Sequence, residues 1–332
     1  MCISAADFLS TPLSVGGVAI RNRVFLAPMS GVTDLAFRAR AYEHGAGLVV
    51  SEMVASGELA RGKAESARRL RRPDVDVHMV QLAGREAHWM AEGARIAEAQ
   101  GADIIDINMG CPAKKVTGGY SGSALMREPA HALSLIEAVV GAVQIPVTVK
   151  MRLGWDENTL NAPEIAKRAE DAGVAMVTVH GRTRCQFYKG KADWAAISDV
   201  KNAVRIPVVA NGDVTSADDA AGLLEASGAD AVMVGRAHYG APWIAGVVAS
   251  NTQRRPDNLA DYVIDHYQAM LALYGTEHGT RHARKHLGWY MDRHLTEVAP
   301  ATRKAIMTGT DHRDVSRLLQ DLFRRQEDRL AA

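Results

Sequence analysis

Short apolar runs recur between residues 24 and 235, each ending in polar or glycine-rich positions. They cover residues 24–29, 47–53, 78–83, 102–109, 147–152, 176–180, 207–211 and 231–235. Val/Ile-rich runs without polar alternation suit parallel strands covered on both faces. Helical segments separate them. Pro129 sits at a first helical position, followed by Leu133, Ile136, Val139, Val140 and Val143 on one side. Ser216 and Asp219 read as a capping box ahead of Ala220, Leu223 and Leu224, and Gly228 supplies the stop. Gly45, Gly101 and Gly173 end other helices in the same way. Eight alternating units predict an α/β fold closed into a (β/α)8 TIM barrel. No G-x-G-x-x-G follows the first strand, which counts against an open doubly wound sheet.

After Trp243 the pattern changes. Strand-like runs vanish, and helices are predicted over residues 259–274, 280–294, 300–308 and 314–330. The expected division is a catalytic barrel over residues 1–245 and an all-helical domain over 246–332. Most basic residues of this tail read as solvated helix faces. Arg281, Arg284, Lys285 and His286 cluster within two turns and are the part placed to grip phosphate.

Composition narrows the classes. With 332 residues and 47% hydrophobic content the chain can bury a large core. A formal net charge of +1 gives no global field for a polyanion, so any nucleic acid must meet a local basic patch. The three cysteines, Cys2, Cys111 and Cys185, form no C-x-x-C pair and no zinc-like spacing. A reducing compartment, no disulfide framework and no metal are expected. The first residues lack a signal-peptide pattern, and no apolar run approaches the roughly 20 residues that span a bilayer. The expectation is a soluble, cytoplasmic protein without a membrane partner.

A barrel assembles its active site at the carboxyl ends of its strands. Those positions hold Pro28, Met29 and Ser30; Ser51 and Glu52; Gln81; Asn108 with Cys111; Lys150 with Arg152; His180 with Arg182; Asn211, Gly212 and Asp213; and Gly235 with Arg236. The last two turns carry glycines that let backbone N–H groups approach an anion, at the usual phosphate site of this fold. Lys150 closes an apolar run, so its ammonium needs an anionic or electron-rich partner unless it forms a Schiff base. Gln81 reads equally as a strand-end cap, and a lone histidine such as His180 is more often satisfied core. Beside Lys150 and a phosphate site, ligand contact is the favoured reading for His180. Cys185 lies in a polar loop and reads as incidental.

No histidine lies at a telling offset from Cys111, so no Cys–His dyad is legible. A free thiol has a pKa near ~8.5 and is mostly protonated at neutral pH, where it can donate a proton. A phosphate loop, Lys150 and Gln81 together suit flavin mononucleotide, with the lysine stabilising the negative charge of the reduced cofactor. Reduction of an activated C=C bond then follows, with Cys111 as the proton donor.

The segments Ala27-Pro28-Met29-Ser30-Gly31-Val32-Thr33-Asp34, Ser51-Glu52-Met53, Asp106-Ile107-Asn108-Met109-Gly110-Cys111-Pro112, His180-Gly181-Arg182-Thr183-Arg184 and Asn211-Gly212-Asp213 resemble the tRNA-dihydrouridine synthases. Cys111-Pro112-Ala113-Lys114-Lys115-Val116 brings the resemblance closest to the DusB-type branch. It extends from about residue 10 to about residue 250, and more weakly into Lys285-His286-Leu287-Gly288-Trp289-Tyr290. The resemblance implies an FMN enzyme that uses NADPH to reduce uridines of tRNA to 5,6-dihydrouridine. It implies that Cys111 protonates C5 of uracil while reduced flavin delivers hydride to C6. Pro28, Met29, Ser30, Gln81, Lys150, Asn211, Gly212, Asp213, Gly235 and Arg236 would hold FMN. His180 would lie against flavin and base, Asn108 would hydrogen-bond uracil, and the helical tail would bind the tRNA body. The loop 117–122 carries fewer basic residues than is usual in relatives.

A uridine in folded tRNA must be splayed out to enter a barrel mouth, at a cost of a few kcal/mol that phosphate contacts elsewhere offset. Arg152, Arg182, Arg184, Lys114 and Lys115 are expected to supply part of that patch, and Arg281, Arg284 and Lys285 the rest. Three alternatives stay open. A flavin reductase of a free pyrimidine or small enone leaves the basic tail unexplained. A Schiff-base aldolase gives Cys111 and Gln81 no role. A non-catalytic RNA-binding protein does not account for Cys111 and the phosphate-side glycines.

Overall fold

A computed structural model describes residues 4–250 and 255–331, so Cys2 lies outside the described residues. The barrel strands are β1 (Val24–Leu26), β2 (Leu48–Val49), β3 (Val54–Ala55), β4 (Met79–Ala83), β5 (Ile104–Met109), β6 (Val147–Arg152), β7 (Met176–His180), β8 (Val208–Asn211) and β9 (Ala231–Val234). All pair in parallel, in the order β2-β1-β9-β8-β7-β6-β5-β4-β3. Both edges, β2 and β3, come from one stretch of chain, and a parallel bridge from Val50 to Met79 brings the sheet round on itself. The (β/α)8 barrel is therefore the fold.

One expected strand differs. The run 47–53 is broken in two, and Ser51, Glu52 and Met53 lie between the pieces. Ser51 Oγ accepts the N–H of Gln81 at 2.9 Å and donates to the carbonyl of Glu52 at 2.8 Å. A side-chain hydroxyl here replaces a ladder carbonyl, which releases the backbone from the sheet.

Side chains in a strand alternate faces. Ile105, Ile107 and Met109 pack outward with the main core, while Ile104 joins a second cluster at the closed end of the barrel. That cluster contains Phe25, Leu48, Met79, Met176, Val209 and Met233. Leu13, Val15 and Ile20 join it from an antiparallel hairpin, Leu13–Val15 with Val18–Ile20, that covers the barrel floor. Gly16 and Gly17 take φ of +56° and +90°, as a tight two-residue hairpin turn demands. Above the floor the inward positions turn polar: Asp106 and Asn108 on β5, Thr148 and Lys150 on β6. Sequence alternation thus places an apolar plug below and a polar mouth above.

The helix Pro129–Val140 starts on its proline as expected, and Gly228 ends Ala217–Ser227 at φ +63°. Ser216 caps the Asp219 N–H, and Asp219 Oδ2 accepts the N–H and the hydroxyl of Thr215. The tail forms helices Leu259–Tyr274, Thr276–His294, Pro300–Thr308 and His312–Ala331. It shares the main core: Val263, Tyr267, Leu287 and Met291 belong to the same cluster as Val80 and Leu135. Phe37, on the helix Leu35–Glu43, lies 5.8 Å from the His266 ring and 5.5 Å from that of His286, joining barrel to tail. Among the described residues, no helix is long and apolar enough to cross a membrane.

Candidate active site

A cavity of about 740 Å³ opens at the carboxyl ends of the strands. Its walls include Pro28, Met29, Ser30, Gln81, Asn108, Cys111, Lys150, Arg152, His180, Asn211, Gly212, Asp213, Gly235 and Arg236. Positions as far apart in sequence as Pro28 and Arg236 meet there because each follows or closes a barrel strand. The volume falls in the roughly 300–1,000 Å³ range of small-molecule and cofactor sites.

A chain of buried amides fixes the Cys111 turn. Thr148 Oγ1 donates to Asp106 at 2.6 Å, and Gln81 Nε2 donates to the same carboxylate at 2.7 Å. Asn108 Nδ2 then donates to Gln81 Oε1 at 2.7 Å, and Asn108 Oδ1 accepts the Cys111 N–H at 3.0 Å. From the other side Arg152 Nε donates to the Gly110 carbonyl at 2.8 Å. Burial pushes the Cys111 thiol above its ordinary value, against the pull of the Ala113 N–H and the cations Arg152 and Lys150. The thiol is therefore held as a neutral acid at physiological pH.

Lys150 Nζ donates to Asn211 Oδ1 at 3.0 Å, while Asn211 Nδ2 donates to the Met233 carbonyl at 2.7 Å. Burial, reinforced by Arg152, lowers the Lys150 ammonium to about 8. An ammonium has three donors. Among the described residues only one of them finds a protein acceptor, and the side chain faces the cavity, where an electron-rich or anionic group is wanted. Gly212 takes φ +137°, and a Cβ there would come within 2.6 Å of Ala192 Cβ, so only glycine carries the chain past β8. Tyr120, Phe187 and Asp213 also take positive φ, of 56°, 58° and 58°. Strained backbone thus gathers in the loops following β5, β7 and β8, as it does at functional sites.

The arginines expected to grip substrate are mostly committed elsewhere. Arg182 is 1% exposed and lies off the cavity wall; it binds Asp213 through both terminal nitrogens at 2.9 and 2.6 Å. Arg152 lines the cavity but is also buried, and NH1 serves the carbonyls of Thr183 and Phe187, both at 2.8 Å. Arg184 lies over the Trp155 ring at 4.7 Å, off the cavity wall. In the tail, Arg281 points out and pairs with Glu277, whereas Arg284 reaches the carbonyls of Thr308 and Gly309. Lys285 turns toward Gly31 and the carboxylates Glu52 and Asp34. The expected phosphate-gripping cluster is thus split, because an α-helix turns successive positions by about 100°, and tertiary packing claims three of its four members, Arg284, Lys285 and the buried His286.

Asp213 lines the cavity, yet its carboxylate is occupied by Arg182, the Ala192 N–H and Arg236. Burial resists its ionisation, but these partners, Arg182 foremost, hold it below the usual carboxylate range. Two features were missed from sequence. Asp106 anchors the amide chain, and its signal was a lone carboxylate two positions before Asn108 on the same strand face. Phe187 and Tyr188 line the cavity while 42% and 44% exposed, and their signal was an aromatic pair within a polar loop. Among the described residues, no group of three or more His, Cys, Asp and Glu side chains is placed to hold a metal ion.

The dihydrouridine synthase family model matches residues 25–327, spanning barrel and tail together. The chain belongs to the dihydrouridine synthase family. A probable tRNA-dihydrouridine synthase of Rhizobium leguminosarum bv. phaseoli is 60% identical over 299 residues, covering 90% of this chain and 94% of that one. A tRNA-dihydrouridine synthase B of Xanthomonas axonopodis pv. citri is 48% identical over 290 residues, covering 85% and 87%. Among solved structures, histamine dehydrogenase from Rhizobium sp. 4-9 superposes with a TM-score of 0.57 at 13% identity, over 98% of this chain and 65% of that one. That likeness is one of fold alone. In this dihydrouridine synthase, the motif around Cys111 is the turn that the amide chain and Arg152 immobilise.

Proposed function

We propose that this chain is an FMN-dependent tRNA-dihydrouridine synthase that reduces the C5=C6 bond of selected tRNA uridines, with NADPH as reductant. The observation that carries the reading is the placement of Cys111, its N–H held by Asn108, on the wall of a cavity that also holds Lys150, whose ammonium has donors to spare. That pair suits protonation of one carbon of a polarised double bond. A Schiff-base reading of Lys150 would leave Cys111 and Gln81, which share the same cavity wall, without a role.

The cavity fits FMN. Lys150 has unused donors, Gly212 and Gly235 lie on the wall, and Arg236 brings a guanidinium that is half exposed to the same space. Pro28, Met29, Ser30, Gln81, Lys150, His180, Asn211, Gly212, Asp213, Gly235 and Arg236 would hold the cofactor, Asp213 by orienting Arg236. When bound, reduced FMN would supply a hydride, the two electrons and one of the two hydrogens of the reduction. Cys111 donates a proton to C5, and the resulting thiolate is stabilised by the Ala113 N–H, Arg152 and Lys150. Asn108 Nδ2 bonds Gln81 and has only the Met53 sulfur, at 4.0 Å, as a second acceptor, a weak contact that a carbonyl of the base would replace.

Residues 246–332 would bind the tRNA body, with residues 1–245 holding the chemistry. Lys114 and Lys115, on the short helix Lys114–Thr117 beside Cys111, are exposed and are the cations best placed to meet phosphate at the mouth. The deciding experiment is visible flavin absorption of the purified protein, together with mapping of dihydrouridine in tRNA from a strain lacking the gene. A colourless protein that FMN does not reconstitute, or an unchanged dihydrouridine map, overturns the reading.

A further inference from the structure

A guanidinium has five N–H donors and no acceptor. In Arg182 all five are engaged: Nε goes to the Lys189 carbonyl at 3.1 Å, and NH2 to the Gly190 carbonyl at 2.7 Å and Asp213 Oδ2 at 2.6 Å. NH1 goes to Asp213 Oδ1 at 2.9 Å and to His180 Nε2 at 3.3 Å. Because the guanidinium can only donate, Nε2 of His180 must accept. The proton of a neutral ring then sits on Nδ1. Among the described residues no group bonds Nδ1, the atom is not sealed away from solvent, and His180 lines the cavity.

We infer that Arg182 is a positioning residue that locks His180 as the neutral Nδ1–H tautomer, so that the ring offers the cavity a donor without a charge. The ligand atom opposite it is then a hydrogen-bond acceptor, a carbonyl or phosphate oxygen, and not an N–H group. The charges around the ring agree. Burial, then Lys150, Arg152, Arg182 and Arg236 all disfavour the imidazolium, and the carboxylate of Asp213 is already taken up by Arg182 and Arg236. Asp213 fixes Arg182, and Arg182 fixes the ring. The inference concerns the protein alone and does not depend on which cofactor or nucleotide fills the cavity.

Long-range proton–nitrogen NMR of the full-length protein tests it, with His180 assigned by its loss in His180→Asn. The expected result is a pyrrole-type Nδ1 and a pyridine-type Nε2, unchanged between about pH 5 and 8. A ring that carries its proton on Nε2, or one that becomes protonated within that window, overturns the inference. Arg182→Lys keeps the charge but loses the fork; a mixed tautomer with turnover on tRNA reduced about tenfold is expected, and an unchanged tautomer overturns the role of Arg182. If that variant fails to fold, the wild-type spectrum still decides the tautomer, and Arg182→Gln takes its place in testing the lock. Adding FMN, then tRNA, identifies whether cofactor or base supplies the acceptor, by which addition shifts the Nδ1 signal. An Nδ1 signal that neither addition shifts overturns the donor role toward ligand.

Discussion

Lys150 Nζ donates to Asn211 Oδ1 at 3.0 Å and joins the ends of β6 and β8 across the barrel mouth, passing over the strand between them. The bond orients Asn211 and leaves the remaining ammonium donors facing the cavity. Replacing Lys150 by Met removes this cation from the cavity and strands Asn211 Oδ1. FMN affinity should fall at least tenfold, as expected when a charge-assisted hydrogen bond of roughly 1.5–3 kcal/mol is removed. With the lysine lowered to about 8, wild-type affinity should weaken as pH rises through that value, and the variant should show no such step. Flavin fluorescence titration across pH checks both.

Cys111→Ala should retain flavin and lose turnover on tRNA by about 10²–10⁴-fold, the range of general acid catalysis. The acid form is the active one and burial raises the thiol, so the wild-type rate should stay level through neutral pH and decline only on the alkaline side. Single-turnover oxidation of reduced enzyme by tRNA measures it. A wild-type rate in the variant removes the thiol from the chemistry.

Two arginines a single turn apart should behave differently. Arg284→Ala should destabilise the protein by about 1–2 kcal/mol, since its guanidinium serves carbonyls at the end of the helix Pro300–Thr308. Arg281→Ala, exposed and paired with Glu277, should change stability by less than about 0.5 kcal/mol. Urea denaturation distinguishes them.

Lys114→Ala with Lys115→Ala should weaken tRNA binding and lower the salt slope of log K by about 0.7–0.9 for each phosphate no longer neutralised. NADPH oxidation without tRNA should be unchanged. Filter binding across salt concentrations reads the slope, and an unaltered slope would mean the mouth's lysines are only solvated.

His78, His238 and His286 are buried, and burial lowers them to about 4, 3 and 3. Each stays neutral in the folded protein while the unfolded chain takes up a proton near pH ~6.5. The unfolded state thus binds more protons below that pH, and stability is lost as pH falls from about 6.5 toward 4. Per histidine the slope is about 1.4 kcal/mol per pH unit. Urea midpoints at pH 7 and pH 5 should differ accordingly, and His78→Gln should shrink the difference.

Much of this was legible in the chain. The strand runs located the barrel and its mouth, and reading strand-end residues in order assembled the cavity wall from Pro28 to Arg236. Gly212 announced its turn because only glycine takes that backbone path. What the sequence did not reveal was commitment. Arg152, Arg182 and Arg284 read as cations free to grip phosphate, yet each is engaged by protein carbonyls or by Asp213. Residue type states how many donors a side chain owns, whereas burial and neighbours decide where they go.

The sequence by itself determined the barrel, the helical tail, and the thiol and lysine at the mouth, because hydrophobic period and strand-end position are local properties of the chain. Only the tertiary structure decided that Asp106, Gln81 and Asn108 form one line of hydrogen bonds behind Cys111, and that Asp213 holds the guanidinium that donates to His180. Gln81 and Asp106 are 25 positions apart and Arg182 and Asp213 are 31, and each pair becomes neighbours once adjacent strands pair in register. Hydrogen-bond partners depend on distance and angle in three dimensions, and no pattern along the chain encodes them.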